Sequence, residues 1–164
     1  MRGQKELYDL LKSLSIEFEY HEHSPVATID DAETYWKDID SGTCKNIFFR
    51  NHKGNRHYLV ILEHHRLLDL HDLEKRLRQG KLTFASDQRL MKYLGLAPGS
   101  VSPFGLINDS EKHVHLFIDE KLKESDRLAF HPNINTATLV ISFSDFIRFL
   151  DHLGNSYEFI NLYK

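Results

Sequence analysis

Two apolar, β-rich runs, residues 46–50 and 57–63, are separated by only Asn51-His52-Lys53-Gly54-Asn55 and Arg56. A six-residue connection containing glycine is too short for a crossover helix, so the two runs are expected to pair as an antiparallel hairpin. That rules out an all-parallel, doubly wound sheet. Around the hairpin the chain alternates helical and extended patterns irregularly. Leu7, Leu10, Leu11 and Leu14 recur at helical spacing over residues 5–14, and residues 17–21 read as a short strand. Thr28 with Asp30 and Asp31 reads as a cap and acidic first turn of a helix running to about Trp36.

Further on, residues 69–79 form an expected helix with Leu70, Leu73 and Leu77 inward and Gly80 as its stop. Ser86 caps a second, with Leu90, Met91 and Leu94 inward and Gly95 ending it. Strands are expected at 113–118, 127–130, 136–142 and 157–162, a short helix at 119–124, and a longer one from Ser144 to the stop at Gly154. Residues 97–105 carry Pro98, Gly99, Pro103 and Gly105 and read as a loop. With no repeat or linker tract to divide it, the 164-residue chain is expected to be one α+β domain, residues 1–164: a mixed, largely antiparallel sheet flanked by helices.

Composition narrows the function classes. The 21 Lys and Arg against 24 Asp and Glu give a net charge of -3, unlike a protein that coats nucleic acid through a broad basic surface. A local basic patch remains: Lys45, Arg50, Lys53, Arg56 and Arg66 with Glu63 as the only acid between residues 43 and 66. The longest apolar run, residues 58–62, is far short of the roughly 20 residues that span a bilayer. The first residues lack the apolar core of a secretory signal, so a cytoplasmic protein without membrane contact is expected.

Several constellations could carry chemistry. One cysteine cannot build a thiolate metal site, and HExxH is missing. His64-His65 and His113-x-His115 could hold a surface zinc, but solvated histidines are the simpler reading; no metal and no cofactor are expected. Cys44 beside Lys45 could be an activated thiol, or a small buried residue at a strand start. Gly99-Ser100-Val101-Ser102-Pro103 is neither a P-loop nor a dinucleotide fingerprint, but its backbone amides could polarise a carbonyl. His131-Pro132-Asn133 and Asn135-Thr136-Ala137-Thr138 bracket a turn able to line a polar pocket or only to bond its own backbone.

Four segments in order, His23-Ser24-Pro25-Val26-Ala27-Thr28, Cys44-Lys45-Asn46-Ile47-Phe48-Phe49, residues 96–105 with the GxxxP pattern at Gly99 to Pro103, and Phe130-His131-Pro132-Asn133-Ile134-Asn135-Thr136-Ala137-Thr138, resemble the YbaK/prolyl-tRNA-synthetase-associated domain family. The last is close to the stretch of its free-standing, alanine-directed branch. The resemblance implies a trans-editing deacylase that hydrolyses mischarged alanyl-tRNA(Pro) at the tRNA 3′ end, the cysteine-directed members of the family giving the alternative substrate. It implies that Lys45 holds the terminal phosphodiester and that Gly99, Ser100 and Val101 present amides to the ester carbonyl. Thr28, Ile29, Asn46, Pro103 and His131 then shape the amino-acid pocket. The partner is the acceptor end of tRNA(Pro), with prolyl-tRNA synthetase or an elongation factor acting in trans. A tRNA-end or amino-acid-sensing module without turnover, and a Cys44 thiol hydrolase, are the rival readings.

Overall fold

The computed structural model describes residues 1–25, 42–63 and 69–162. Helix α1 (Lys5–Ser13) leads into β1 (Glu19–Glu22), followed by the hairpin β2 (Gly42–Asn51) and β3 (His57–Glu63). Then come α2 (Leu70–Leu77), β4 (Leu82–Phe84), α3 (Asp87–Leu94), a 3₁₀ helix Pro103–Asn108, β5 (His115–Asp119) and a second 3₁₀ helix Glu120–Glu124. The chain closes with β6 (Arg127–Phe130), β7 (Ala137–Ser142), α4 (Phe143–Leu153) and β8 (Tyr157–Ile160). The helix expected from Thr28 to Trp36 lies outside the described residues.

The strands form one mixed sheet in the order β1-β7-β6-β2-β3-β5-β8, with β4 also on β2. The hairpin pairs antiparallel as expected, Lys45 opposite Leu62 and Arg50 opposite His57. The β1–β7, β6–β7 and β2–β4 pairs are antiparallel too, whereas β2–β6, β3–β5 and β5–β8 are parallel. Strand β3 is covered on both faces: Leu59 and Ile61 enter a large core, while Tyr58, Val60 and Leu62 enter a smaller one. Two-sided burial explains why residues 58–62 are continuously apolar rather than alternating. The large core packs α1, α3, α4 and the 3₁₀ helix Pro103–Asn108 against the sheet through Leu7, Leu94, Phe104 and Phe149. The smaller holds Leu73 and Leu77 of α2.

Caps follow the residue types closely. Ser86 accepts from the Arg89 amide, Ser142 from Asp145, and Gly95 and Gly154 end their helices with left-handed backbone. Two expectations fail locally. Helix α2 stops at Arg78, itself left-handed at φ 56°, two residues before Gly80; its exposed side chain tolerates a conformation costing about 1–2 kcal/mol. Met91 is 56% exposed, because Leu90 and Leu94, one turn apart, already fill the buried stripe of α3.

Candidate functional site

The site grows from a divergence in the sheet. Parallel strands β2 and β6 pair at Gly42–Leu128 and Thr43–Ala129. Beyond that point β2 runs on with β3 and β4, while β6 ends at Phe130 and turns through His131. Lys45 and Asn46 on β2 and His131 after β6 therefore follow immediately where the two strands part. Alternation places Asn46 with Cys44 and Phe48 on the large-core face and Lys45 with Ile47 and Phe49 on the other. The Asn46 carboxamide oxygen is buried with no hydrogen-bond partner among the described residues. Leaving such an acceptor unmet costs about 1–3 kcal/mol, which a bound donor recovers.

The loop 97–105 is ordered by its own chemistry. Pro98 and Gly99 occupy the two central positions of a turn closed by Ser100 N–H donating to Ala97 O at 3.1 Å, with Gly99 at φ +85°. Proline first and a left-handed glycine second is a type II turn. The Ser100 amide, expected as a donor to substrate, closes this turn. Ser102 Oγ accepts from Phe104 N–H at 3.1 Å, starting the 3₁₀ helix with Pro103 in its first turn. The amides of Gly99, Val101 and Ser102 donate to no acceptor among the described residues. Val101 packs on the large core, and Pro103 is buried.

The loop lies against the 131–136 turn. Phe104 meets Phe130 edge-on at 5.7 Å, Asn133 Nδ2 donates to Phe104 O at 3.3 Å, and a Cβ on Gly99 would stand 3.6 Å from Asn135 Nδ2. Residues at the N-terminus lace this junction together. Asn133 Nδ2 also donates to Gln4 Oε1 at 2.9 Å, Gln4 Nε2 donates to Asn108 Oδ1 at 2.8 Å, and Asn108 Nδ2 donates to Leu94 O at 2.8 Å. Sequence reading missed this amide network, because Gln4, Asn108 and Asn133 are joined by no spacing, only by the fold.

His131 is held in one tautomer. Its Nδ1 lies 2.9 Å from Ala137 O, which can only accept, so Nδ1 carries the proton and Nε2 the lone pair of the neutral ring. Burial lowers its pKa, the Ala137 bond opposing and His23 adding to the shift. The His23 ring, 5.8 Å away, is fixed likewise: Nδ1 donates to Ser24 O and Nε2 accepts from Thr138 Oγ1 at 2.8 Å. Asn46 and the loop Gly99 to Pro103 thus share the large-core side of the sheet, Lys45 enters from the opposite face of β2, and His131 follows the large-core residue Phe130 beside His23. Thr28 and Ile29 lie outside the described residues.

Two rival chemistries are also placed. Cys44 is buried, and burial pushes its thiol pKa up, with Glu63 and Asp119 adding, the reverse of an activated nucleophile. His113 and His115 do not share a ligand set: His113 bonds His57, while His115 lies against Ser156 and Glu158. Among the described residues no three His, Cys, Asp or Glu side chains are arranged to hold a metal, and no helix is long and apolar enough to cross a membrane. His64 and His65 are outside the described residues.

An orphaned buried acceptor, loop amides that meet no acceptor among the described residues and a tautomer-fixed histidine are groups suited to acyl-ester hydrolysis, and the family comparison agrees. The aminoacyl-tRNA editing domain model matches residues 23–149, so the chain belongs to that family, whose chemistry is that of the aminoacyl-tRNA deacylases. More particularly, the chain is 39% identical to the prolyl-tRNA editing protein ProX of Acetoanaerobium sticklandii over 93% of both chains. It is 33% identical to prolyl-tRNA synthetase associated domain-containing protein 1 of Danio rerio, over 90% of this chain and 81% of that one. A solved structure described as a candidate trans-editing enzyme for prolyl-tRNA synthetase shares the fold, with TM-score 0.67 at 18% identity over 97% and 98% of the two chains.

Proposed function

We infer that the protein hydrolyses mischarged tRNA(Pro) in trans, with alanyl-tRNA(Pro) as its substrate, residues 1–164 acting as a single catalytic domain. The observation that carries this reading is the junction of the 97–105 loop with the 131–136 turn, together with the orphaned Asn46 oxygen on the large-core face of β2. In the reaction, water adds to the ester carbonyl carbon and the bond to the terminal ribose oxygen breaks. That oxygen takes a proton, leaving tRNA with its hydroxyl restored and the amino acid as its carboxylate.

The amides of Gly99 and Val101 stabilise the oxyanion that develops on the carbonyl oxygen. Lys45, a flexible point charge, holds the terminal phosphodiester. Asn46 Oδ1 accepts from the substrate's ammonium group, and His131 Nε2 orients the attacking water. The 2′-hydroxyl of the tRNA assists proton transfer. Pro103, buried at the start of its 3₁₀ helix, fixes the loop floor, and Thr28 and Ile29 wall the pocket against proline. Discrimination by a second pocket is needed because a proline site rejects a smaller amino acid by only about 1–3 kcal/mol.

This reading places the protein in the cytoplasm, taking its substrate after release from prolyl-tRNA synthetase or from an elongation factor. Single-turnover deacylation by Asn46→Ala tests the pocket. The reading expects a slower chemical step with the phosphate contact intact; an unchanged rate contradicts the role of Asn46.

A further inference from the structure

Gln4 stands at the N-cap position of α1 but does not cap it. Ser, Thr, Asp or Asn there would accept from the first turn of the helix, and Gln4 makes no such bond. Its carboxamide is turned the other way, into the junction of the 97–105 loop with the 131–136 turn.

The amide orientations at that junction are forced. Leu94 O can only accept, so Asn108 Nδ2 faces it at 2.8 Å. Asn108 Oδ1 then lies towards Gln4 and accepts from Gln4 Nε2 at 2.8 Å, while the second Asn108 N–H donates to Gln4 Oε1 at 3.1 Å. The same glutamine oxygen accepts from Asn133 Nδ2 at 2.9 Å, and the other N–H of Asn133 goes to Phe104 O at 3.3 Å. One side chain thus links Asn108 to Asn133.

The two asparagines hold different parts of the site. Leu94 ends α3 and Asn108 ends the 3₁₀ helix, so their bond draws together both ends of the segment that carries Gly99 to Pro103. The approach is close, for a Cβ on Gly95 would stand 2.8 Å from Asn108 Nδ2. Asn133 belongs to the turn after His131 and is left-handed at φ 65°. With its N–H groups committed to Gln4 and Phe104, Asn133 Oδ1 is buried without a hydrogen-bond partner among the described residues. Local stability alone does not select an asparagine whose oxygen goes unmet.

The backbone that delivers Gln4 is itself anchored. Arg2 N–H donates to the Tyr20 hydroxyl on β1 at 2.7 Å, and the Tyr8 hydroxyl donates to Arg2 O. Gln4 N–H donates to Pro132 O at 3.4 Å. A Cβ on Gly3 would stand 2.4 Å from Pro132 O, so the chain runs against the turn at a distance that only glycine permits.

We propose that Gln4 is a positioning residue for the deacylation, holding the amides of Gly99 and Val101 in register with His131 through Asn108 and Asn133. The role rests on the deacylase reading above. Gln4 acts on the chemical step, and the phosphodiester contact assigned to Lys45 belongs to another element, β2.

The test compares the parent with Gln4→Met, which keeps the length of the side chain and removes its hydrogen-bonding atoms. Leu10→Ala, in the same helix and packed on the large core, supplies a loss of stability that leaves these amides alone. Deacylation is measured on whichever of alanyl- and cysteinyl-tRNA(Pro) the parent hydrolyses, and the amide resonances of Gly99 and Val101 are followed by NMR. Gln4→Met is expected to lower kcat at least about 10-fold with KM within about twofold, since a misplacement of about 1 Å costs up to about 10²-fold in rate. The Gly99 and Val101 resonances shift in Gln4→Met, and Leu10→Ala moves neither them nor kcat. Asn133→Gly, which cuts the link from the turn side and accepts the left-handed backbone, gives the same split and adds little to Gln4→Met. A parent that releases amino acid from neither substrate contradicts the deacylase reading, and the role of Gln4 falls with it. An active parent overturns the role of Gln4 alone if Gln4→Met keeps its kcat, raises only KM, leaves both resonances in place, or loses no more than Leu10→Ala at equal melting temperature.

Discussion

Gly99 and Asn135 face each other across the two loops that build the site, with 3.6 Å between the position of a Gly99 Cβ and Asn135 Nδ2. That spacing is ordinary contact, so crowding does not exclude a side chain at residue 99. Backbone conformation does: φ is +85°, in the region that L residues with a Cβ adopt only under strain.

Gly99→Ala is therefore expected to cost about 1–2 kcal/mol of stability through strain rather than collision. If the loop relieves that strain by turning its amides, kcat falls by about 10²- to 10³-fold, the usual range for losing one oxyanion donor. Asn135→Ala, which leaves φ untouched, is the control and should change neither by a comparable amount. Thermal melts and single-turnover rates on the two variants check both parts.

On the proposed role of Lys45, Lys45→Ala removes a charged hydrogen bond to the phosphodiester worth about 1.5–3 kcal/mol, so kcat/KM should drop about 10- to 100-fold. Lys45→Arg should recover part of this, since the charge is kept while its geometry changes. Steady-state deacylation measures it, and equal loss in both variants would indicate a packing defect instead.

Cys44→Ala should leave the deacylation rate essentially unchanged. The thiol is buried and its pKa is pushed up, so no thiolate is available for attack. Stability should fall by about 1 kcal/mol from the small cavity. Rate loss of more than about 10² in this variant would restore the thiol-hydrolase reading.

Acid should destabilise the fold through His57. Its pKa is about 4 in the native protein against an ordinary 6.5, lowered by burial first and then by His113, Arg89, Lys92 and Arg50. Between those values the unfolded chain takes up a proton that the native ring refuses. Stability is complete above about pH 6.5 and declines as pH falls towards 4; His131, lowered by its own burial, acts with the same sign. Melting temperature against pH should show this fall, and His57→Gln should flatten it. A flat profile in the parent protein would contradict the assignment.

Much of the fold is legible in the residues alone. The hairpin, the helix beginning at Lys5 and the stops at Gly95 and Gly154 rest on local patterns, and local physics decided them. What was illegible depended on partners distant in the chain. Strand β4 has only Leu82–Phe84 and owes its existence to pairing with Phe49–Asn51. The parallel placement of β8 beside β5 has no turn to announce it. In the site, the GxxxP pattern and His131 stand out by residue type, and the Pro98-Gly99 turn closed by the Ser100 amide is local, but the Gln4–Asn108–Asn133 network emerges only once residues some 130 apart are neighbours. The same holds for the His57–His113 bond, across 56 residues.

The central claim is tested most directly by presenting purified protein with alanyl-, cysteinyl- and prolyl-tRNA(Pro), with Lys45→Ala in parallel. The account predicts rapid release of alanine, sparing of proline, and loss of the activity in the variant. Preferential release of cysteine would contradict the alanine assignment while keeping the chemistry, and hydrolysis of none of the three would contradict the deacylase itself.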